Sequence, residues 1–321
     1  MASREWQTVH STIADAVNGA APLPGEAAPG FLPTSGLPER SSDTKQRVRT
    51  TWALTLAYFG PAFSGFAWQA DAPLPTVSGA LQEAIKPLLR GRHSLRLSCA
   101  GRTDAGVSAT GQLASFYSWQ PIEESELAAA IYAAAPAPGA LRLVAARRVP
   151  RAFHATFSAA WRRYVYLLPA LPGQSRAQVL EESARLDALL RPLAGTVRDY
   201  AALGRGVPKG KNTKMTIYDA SAQAVELRGG ACATRIVLRG DRFIRRQVRT
   251  LVATAVALAD DEAMDGSRRT RTAIGSGLAT EGDSIVWDQR LLEVCASGVQ
   301  ERTANPAPAL GLCFAESLHH E

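Results

Sequence analysis

The sequence predicts an α+β fold built as two mixed halves, each a sheet covered by helices on one face. Apolar residues alternate with small or polar ones in several short runs, the period of a half-buried strand. Elsewhere they recur every three or four residues, the period of an amphipathic helix. Both patterns interleave on either side of residue 150, which argues for mixed elements in each half. With 321 residues, 46% of them hydrophobic, the chain can bury a sizeable core, as one large or two modest domains.

Residues 1–49 are rich in Pro, Gly, Ala and Ser, and Pro22, Pro24, Pro29, Pro33 and Pro38 break any long helix there. They are expected to form an irregular N-terminal extension, flexible or wrapped on the surface. Order begins at Trp52, where Trp52, Leu54, Leu56 and Tyr58 alternate as a strand. Val77, Leu81, Ile85 and Leu88 mark a helix that Pro87 ends. Leu95, Leu97 and Cys99 alternate as a second strand running into Gly101. A strand over 111–117, a helix over 123–134 and a strand over 141–149 complete an N-terminal half, 50–150. The C-terminal half, 151–321, carries strands near 161–168, 216–227 and 231–239 and helices near 176–194 and 243–259.

Lys and Arg number 36 against 29 Asp and Glu, a formal charge of +7 that suits a polyanionic partner. The arginines cluster: Arg147, Arg148 and Arg151; Arg162 and Arg163; Arg242, Arg245, Arg246 and Arg249; Arg268, Arg269 and Arg271. Cys99, Cys232, Cys295 and Cys313 lie far apart and form no CxxC pair, so neither a zinc site nor a disulfide framework is expected. The histidines do not lie at metal-ligand spacing. No apolar run is long enough to span a membrane, and the N-terminus lacks a hydrophobic signal core. With the cysteines scattered, an intracellular location is expected: cytoplasm, nucleus or an organelle matrix such as the mitochondrion.

The chemistry-bearing run is Gly101-Arg102-Thr103-Asp104-Ala105-Gly106-Val107. Its glycines let the backbone turn tightly and approach a ligand, and the turn displays an arginine and a carboxylate two residues apart. As an isolated loop it would read as a surface turn in which Asp104 bonds its own backbone. The run matches the signature of the tRNA pseudouridine synthase A (TruA-like) family without a mismatch. Tyr58 to Gly65 resembles that family's first-strand motif YDGxxFxGW, and Thr76 to Ile85 resembles the helix that follows. Gln112 to Phe116 resembles the strand after the loop, and Phe153 to Ala159 with Arg163 to Tyr166 resembles FHARFSA…RRYxY. Phe243 to Val252 resembles the helix containing MVR. Pro306 to Pro308 with Gly311-Leu312 resembles the closing APxxGL. The resemblance covers about residues 51–316.

It implies a pseudouridine synthase fold: two mixed α/β halves with a central, largely antiparallel sheet and a catalytic cleft between them. It implies conversion of uridine to pseudouridine in RNA, chiefly tRNA, by a homodimer, with no cofactor and no metal. Breaking the N1–C1′ bond, turning the base and rejoining it through C5 involves no redox step; it needs a nucleophile, a dry pocket and a grip on the loose base. The nucleophile implied is Asp104, kept ionised by Arg249, since a paired guanidinium offsets the desolvation of a buried carboxylate. Tyr164 is implied to pack on the uracil, and Arg102 to hold the nucleotide out of its stack with Thr103 beside it. Leu312 is implied to close the pocket. Arg162, Arg242, Arg245 and Arg246 are expected at phosphates. Arg242, Arg245 and Arg249 also fit a solvated basic stripe along one helix face, and Tyr164 and Tyr166 share a strand face.

The chain departs from the family at several positions. Phe59 stands for the Asp of YDG, and Phe66 for the Trp of GW, with Trp68 two residues on. Ser108 stands for a His, Met215 for an Arg, and Ala130 to Pro136 lacks the usual Asn. Arg242 occupies a place usually held by a small residue. These departures keep a second reading open, a catalytically degenerate RNA-binding or ribosome-associated scaffold within a ribonucleoprotein. Gly206, Gly210 and Lys211 superficially suggest a phosphate loop, but the spacing is one residue short and Asn212 stands where Ser or Thr would bind magnesium.

Overall fold

A computed structural model describes residues 1, 4–19, 21–26, 49–91, 94–264 and 288–319. Most of the proline-rich extension lies outside these residues, as do Arg268, Arg269, Arg271 and nearly all of 260–285. In chain order the elements are α1 (Trp6–Asn18), β1 (Thr50–Tyr58), α2 (Val77–Leu88), β2 (Ser98–Cys99), β3 (Ser108–Ser118), α3 (Glu124–Ala133), β4 (Leu141–Val149) and β5 (Ala159–Pro169). They continue with α4 (Arg176–Leu190), β6 (Val197–Asp199), β7 (Lys214–Glu226), β8 (Cys232–Gly240), α5 (Gln247–Met264), α6 (Arg290–Ala296) and β9 (Leu312–His319). Among the described residues no helix is long and apolar enough to cross a membrane.

The chain forms two compact units. One comprises Val9–Tyr164 and Ala309–Glu321, the other Met1–Thr8 and Val165–Pro308. The division falls inside β5, and the end of the chain returns to the first unit. In that unit β1 lies antiparallel between β3 and β4, with Trp52 opposite Phe116 and Arg148. β9 adds parallel to β3, pairing Ser108 with Cys313 and Ala109 with Phe314, and the order runs β4-β1-β3-β9 into β5. β2 pairs off this path with the far end of β3. In the second unit the order β5-β8-β7-β6 is antiparallel from β8 onward. Both units are therefore mixed, with largely antiparallel sheets.

The irregular extension needs correcting at its start, because α1 is a helix. Val9, Ile13, Ala16 and Val17 repeat at helical spacing and are buried. The first proline comes only at Pro22, and Gly19, at φ +76°, ends the helix. The His10 ring meets Phe59 edge-on at 4.7 Å, and Arg142 Nε donates to Val17 O at 3.0 Å. In the second unit Arg4, nearly buried, donates to Pro169 O at 2.6 Å and pairs with buried Glu182. At α4, Ser175 Oγ accepts from Gln178 N while Gln178 Oε1 accepts from Ser175 N, a capping box that fixes the helix start.

Candidate active site

The strand-to-loop path at β2 is held carbonyl by carbonyl. Thr156 Oγ1 donates to Cys99 O at 2.7 Å, and Arg162 Nε donates to Ala100 O at 2.9 Å. Gln112 Nε2 donates to Gly101 O at 2.6 Å. Phe66 N donates to Thr103 O at 3.1 Å, and Val107 N to Asp104 O at 3.2 Å. The Tyr58 hydroxyl shares a 2.8 Å hydrogen bond with Thr103 Oγ1. Hydrogen bonds at successive carbonyls rigidify the backbone that carries them. Asp104 is half-buried, Thr103 buried and Arg102 exposed.

Two glycines outside the loop explain how the β1–α2 connection comes so near it. A Cβ on Gly60 would stand 2.3 Å from Val107 C, inside contact distance. Gly65 has φ +98°, and a Cβ there would meet Thr103 O at 3.0 Å. The first-strand motif therefore acts as the backing of the loop.

Tyr164 is buried, with its ring edge-on to Phe314 at 5.1 Å. Burial pushes its hydroxyl well above the ordinary range; the charge of Arg162 opposes this, and those of Cys99 and Asp104 add to it. The same burial pushes the Cys99 thiol up to about 11, against the pull of Arg102. Leu312 is buried at the start of β9. Asp104, Thr103, Arg102, Tyr164, Arg162 and Leu312 thus all belong to the first unit.

Arg162 is not available to phosphate as expected. It is 9% exposed, and its guanidinium serves Ala100 O, Ala159 O at 3.0 Å and Thr156 O at 2.7 Å. Arg242, Arg245 and Arg246 are exposed, but they precede α5, which starts at Gln247, so no helical stripe links them to Arg249. Arg246 sits at φ +63°, in the left-handed region that breaks the helix there. Arg249, on the first turn of α5, is half-buried; its Nε donates to Ala307 O at 2.6 Å while Ala307 N donates to Arg249 O at 3.0 Å. Tyr166 lies beside it in the same unit, buried, and its hydroxyl donates to Pro308 O at 3.1 Å.

The departures from the family are occupied by packing. Phe59 meets the α1 histidine, buried Ser108 accepts from Gly60 N at 2.9 Å, and Met215 is buried. Phe66 is buried with its ring 6.3 Å from that of Tyr58, whereas Trp68 is 62% exposed. Sequence reasoning missed Tyr58 and Gln112 as loop supports, although both sit in matched motifs at the strand positions facing the loop. Among the described residues no group of His, Cys, Asp and Glu is placed to hold a metal ion, and all four cysteines are free. A cavity of about 420 Å³ in the second unit, lined by Glu5, Pro169, Gln174, Arg176, Glu226 and Cys232 among others, contains none of these site residues.

The chain is 32% identical over 276 residues to a tRNA pseudouridine synthase A of Cutibacterium acnes, covering 80% of this chain and 96% of that one. It is 35% identical over 250 residues to the protein of the same name from Cereibacter sphaeroides, covering 72% and 93%. No family model matches. A solved Cbf5-Nop10-Gar1 complex aligns at TM-score 0.30 with 11% identity, over 64% of this chain and 44% of that one, too loosely to carry an argument. The chain belongs to the tRNA pseudouridine synthase A family.

Proposed function

We propose that this chain isomerises uridine to pseudouridine in tRNA, with the Asp104 carboxylate as nucleophile. The observation that carries the reading is the loop itself: its backbone is fixed at Gly101, Thr103 and Asp104, and Asp104 is presented half-buried. A nucleophile held this way needs no reorganisation when the base arrives. The carboxylate adds to the base or to C1′, the N1–C1′ bond breaks, and C5 joins C1′. The carboxylate is released, the C5 hydrogen leaves as a proton, and N1, left with the electron pair of the broken bond, takes a proton up. Tyr164, beside the loop and held neutral by burial, offers an aromatic face to the uracil and a hydroxyl able to exchange a proton at C5. Arg102, exposed on the loop, suits holding the target nucleotide out of its stack. Leu312, at the head of β9 next to the strand that leaves the loop, suits an apolar lid. Arg249 acts on the chemical step, and exposed Arg242, Arg245 and Arg246 meet phosphates.

The scaffold reading has less support. Phe59 and Ser108 are accommodated by contacts that leave the loop intact, and Arg102, Asp104, Tyr164 and Arg249 are all retained. Tritium release from RNA carrying 5-tritiated uridine separates the two readings. The enzyme releases it, and a scaffold does not.

A further inference from the structure

Phe157 projects from the connection between β4 and β5 with 84% of its surface exposed. Its ring stacks on His154 at 4.5 Å with 29° between the planes. The segment beneath is fixed on every side. His154 Nδ1 accepts from Thr156 N at 3.2 Å, which orients the imidazole. Ser158 N donates to His154 O at 2.9 Å, and His154 N to Ser158 Oγ at 3.2 Å, closing the turn. Ala155 N donates to Ser115 Oγ at 3.0 Å, and His319 Nε2 lies 3.0 Å from Ala155 O. Thr156 is tied to the strand entering the Asp104 loop directly and through β5: its hydroxyl donates to Cys99 O, and its carbonyl accepts from the Arg162 guanidinium that also holds Ala100 O.

A phenylalanine left in water is unremarkable on a mobile loop. Here the backbone beneath the ring is tied down, and the ring has an aromatic backing and an exposed face. Such a ring loses little conformational entropy on stacking, which is how aromatic side chains bind unpaired bases. Its neighbours Arg151, Ala152 and Thr156 are exposed. One cation and polar surroundings suit a base with its phosphate and give an apolar protein surface little to bury. We propose that Phe157, backed by His154, is a stacking site for an unpaired base of the RNA substrate, a nucleotide near the target uridine. This rests on the RNA-modifying function proposed above and adds a contact that does no chemistry.

The test uses the full chain, unmodified tRNA transcripts for single-turnover tritium release, and a fluorescent oligouridylate for binding. Phe157→Ala should raise the half-saturating tRNA concentration at least about tenfold, with a much smaller effect on the saturated rate, and should weaken oligouridylate binding. Phe157→Trp should restore both, and Phe157→Leu, apolar without a π-face, should restore neither. Unchanged half-saturation in Phe157→Ala, or full rescue by Leu, overturns the proposal. If the unaltered protein binds oligouridylate but isomerises nothing, the nucleophile reading fails while the binding comparison still decides the stacking site.

Discussion

Arg162 and Arg163 are adjacent on β5 and do different work. Arg163 is a quarter exposed and pairs with Glu316 at 2.8 Å and with Glu26. Arg162 turns inward and ties the Ala100 carbonyl to two others. Arg162→Met should therefore destabilise the fold by about 2 kcal/mol, since it strands the buried Ala100 carbonyl and removes two part-buried bonds, as urea unfolding would read; an unchanged midpoint would contradict the clamp. The dependence of log affinity on log salt should stay as it is in that variant. It should flatten by up to ~0.9 per lost phosphate contact when Arg242, Arg245 and Arg246 are changed to Ala. Arg249→Met should lower the single-turnover rate a hundredfold or more, about 3 kcal/mol of transition-state stabilisation, while affinity moves by less than about tenfold. Weak binding with a normal rate once bound would place Arg249 outside the chemistry. The Gly101–Val107 loop stood out in the sequence because its residue types, an arginine and a carboxylate between glycines, are themselves the signal. The buried role of Arg162 could not, because sequence shows a guanidinium but not which carbonyls surround it.

Strands and helices with a clean period were legible to within a few residues: β1, α2, α3, β4 and β8 lie close to where alternation or helical spacing put them. α1 was not, because its short apolar stripe precedes a long proline-rich run that dominates the composition of 1–49. The strand β9 carries no strong alternation and is defined by its parallel pairing with β3, a long-range contact. α5 begins later than its basic spacing suggested, since Arg246 adopts a left-handed conformation. α1 is packed as a structural element, so Ile13→Ala should cost about 2–4 kcal/mol in urea unfolding; a change below half a kcal/mol would show the helix to be undocked in solution. Gly60→Ala would force the loop backbone away from the β1–α2 connection. It should abolish most activity while tRNA affinity falls far less, and a fully active variant would show that the loop tolerates displacement.

Across the whole molecule, burial raises the thiols of Cys99 to about 11 and of Cys295 and Cys313 to about 12, from an ordinary 9.0. The folded state then holds protons that the unfolded chain releases above pH 9. The stability this reflects is complete below pH 9 and is lost as pH rises toward 11 to 12, on the order of 1 kcal/mol per thiol for each pH unit. Unfolding midpoints should be flat from pH 7 to 8.5 and fall from pH 9 to 11; a flat curve would mean the thiols are hydrated. The central claim is that this assembly exists to present one carboxylate, and Asp104→Asn tests it most directly. The substitution keeps the size of the side chain and one acceptor oxygen but removes the carboxylate charge. Tritium release from 5-tritiated uridine in tRNA, measured in single turnover beside a binding isotherm and a melting curve, should vanish in Asp104→Asn with affinity and melting nearly unchanged. Release at the unaltered rate would contradict the assignment of Asp104.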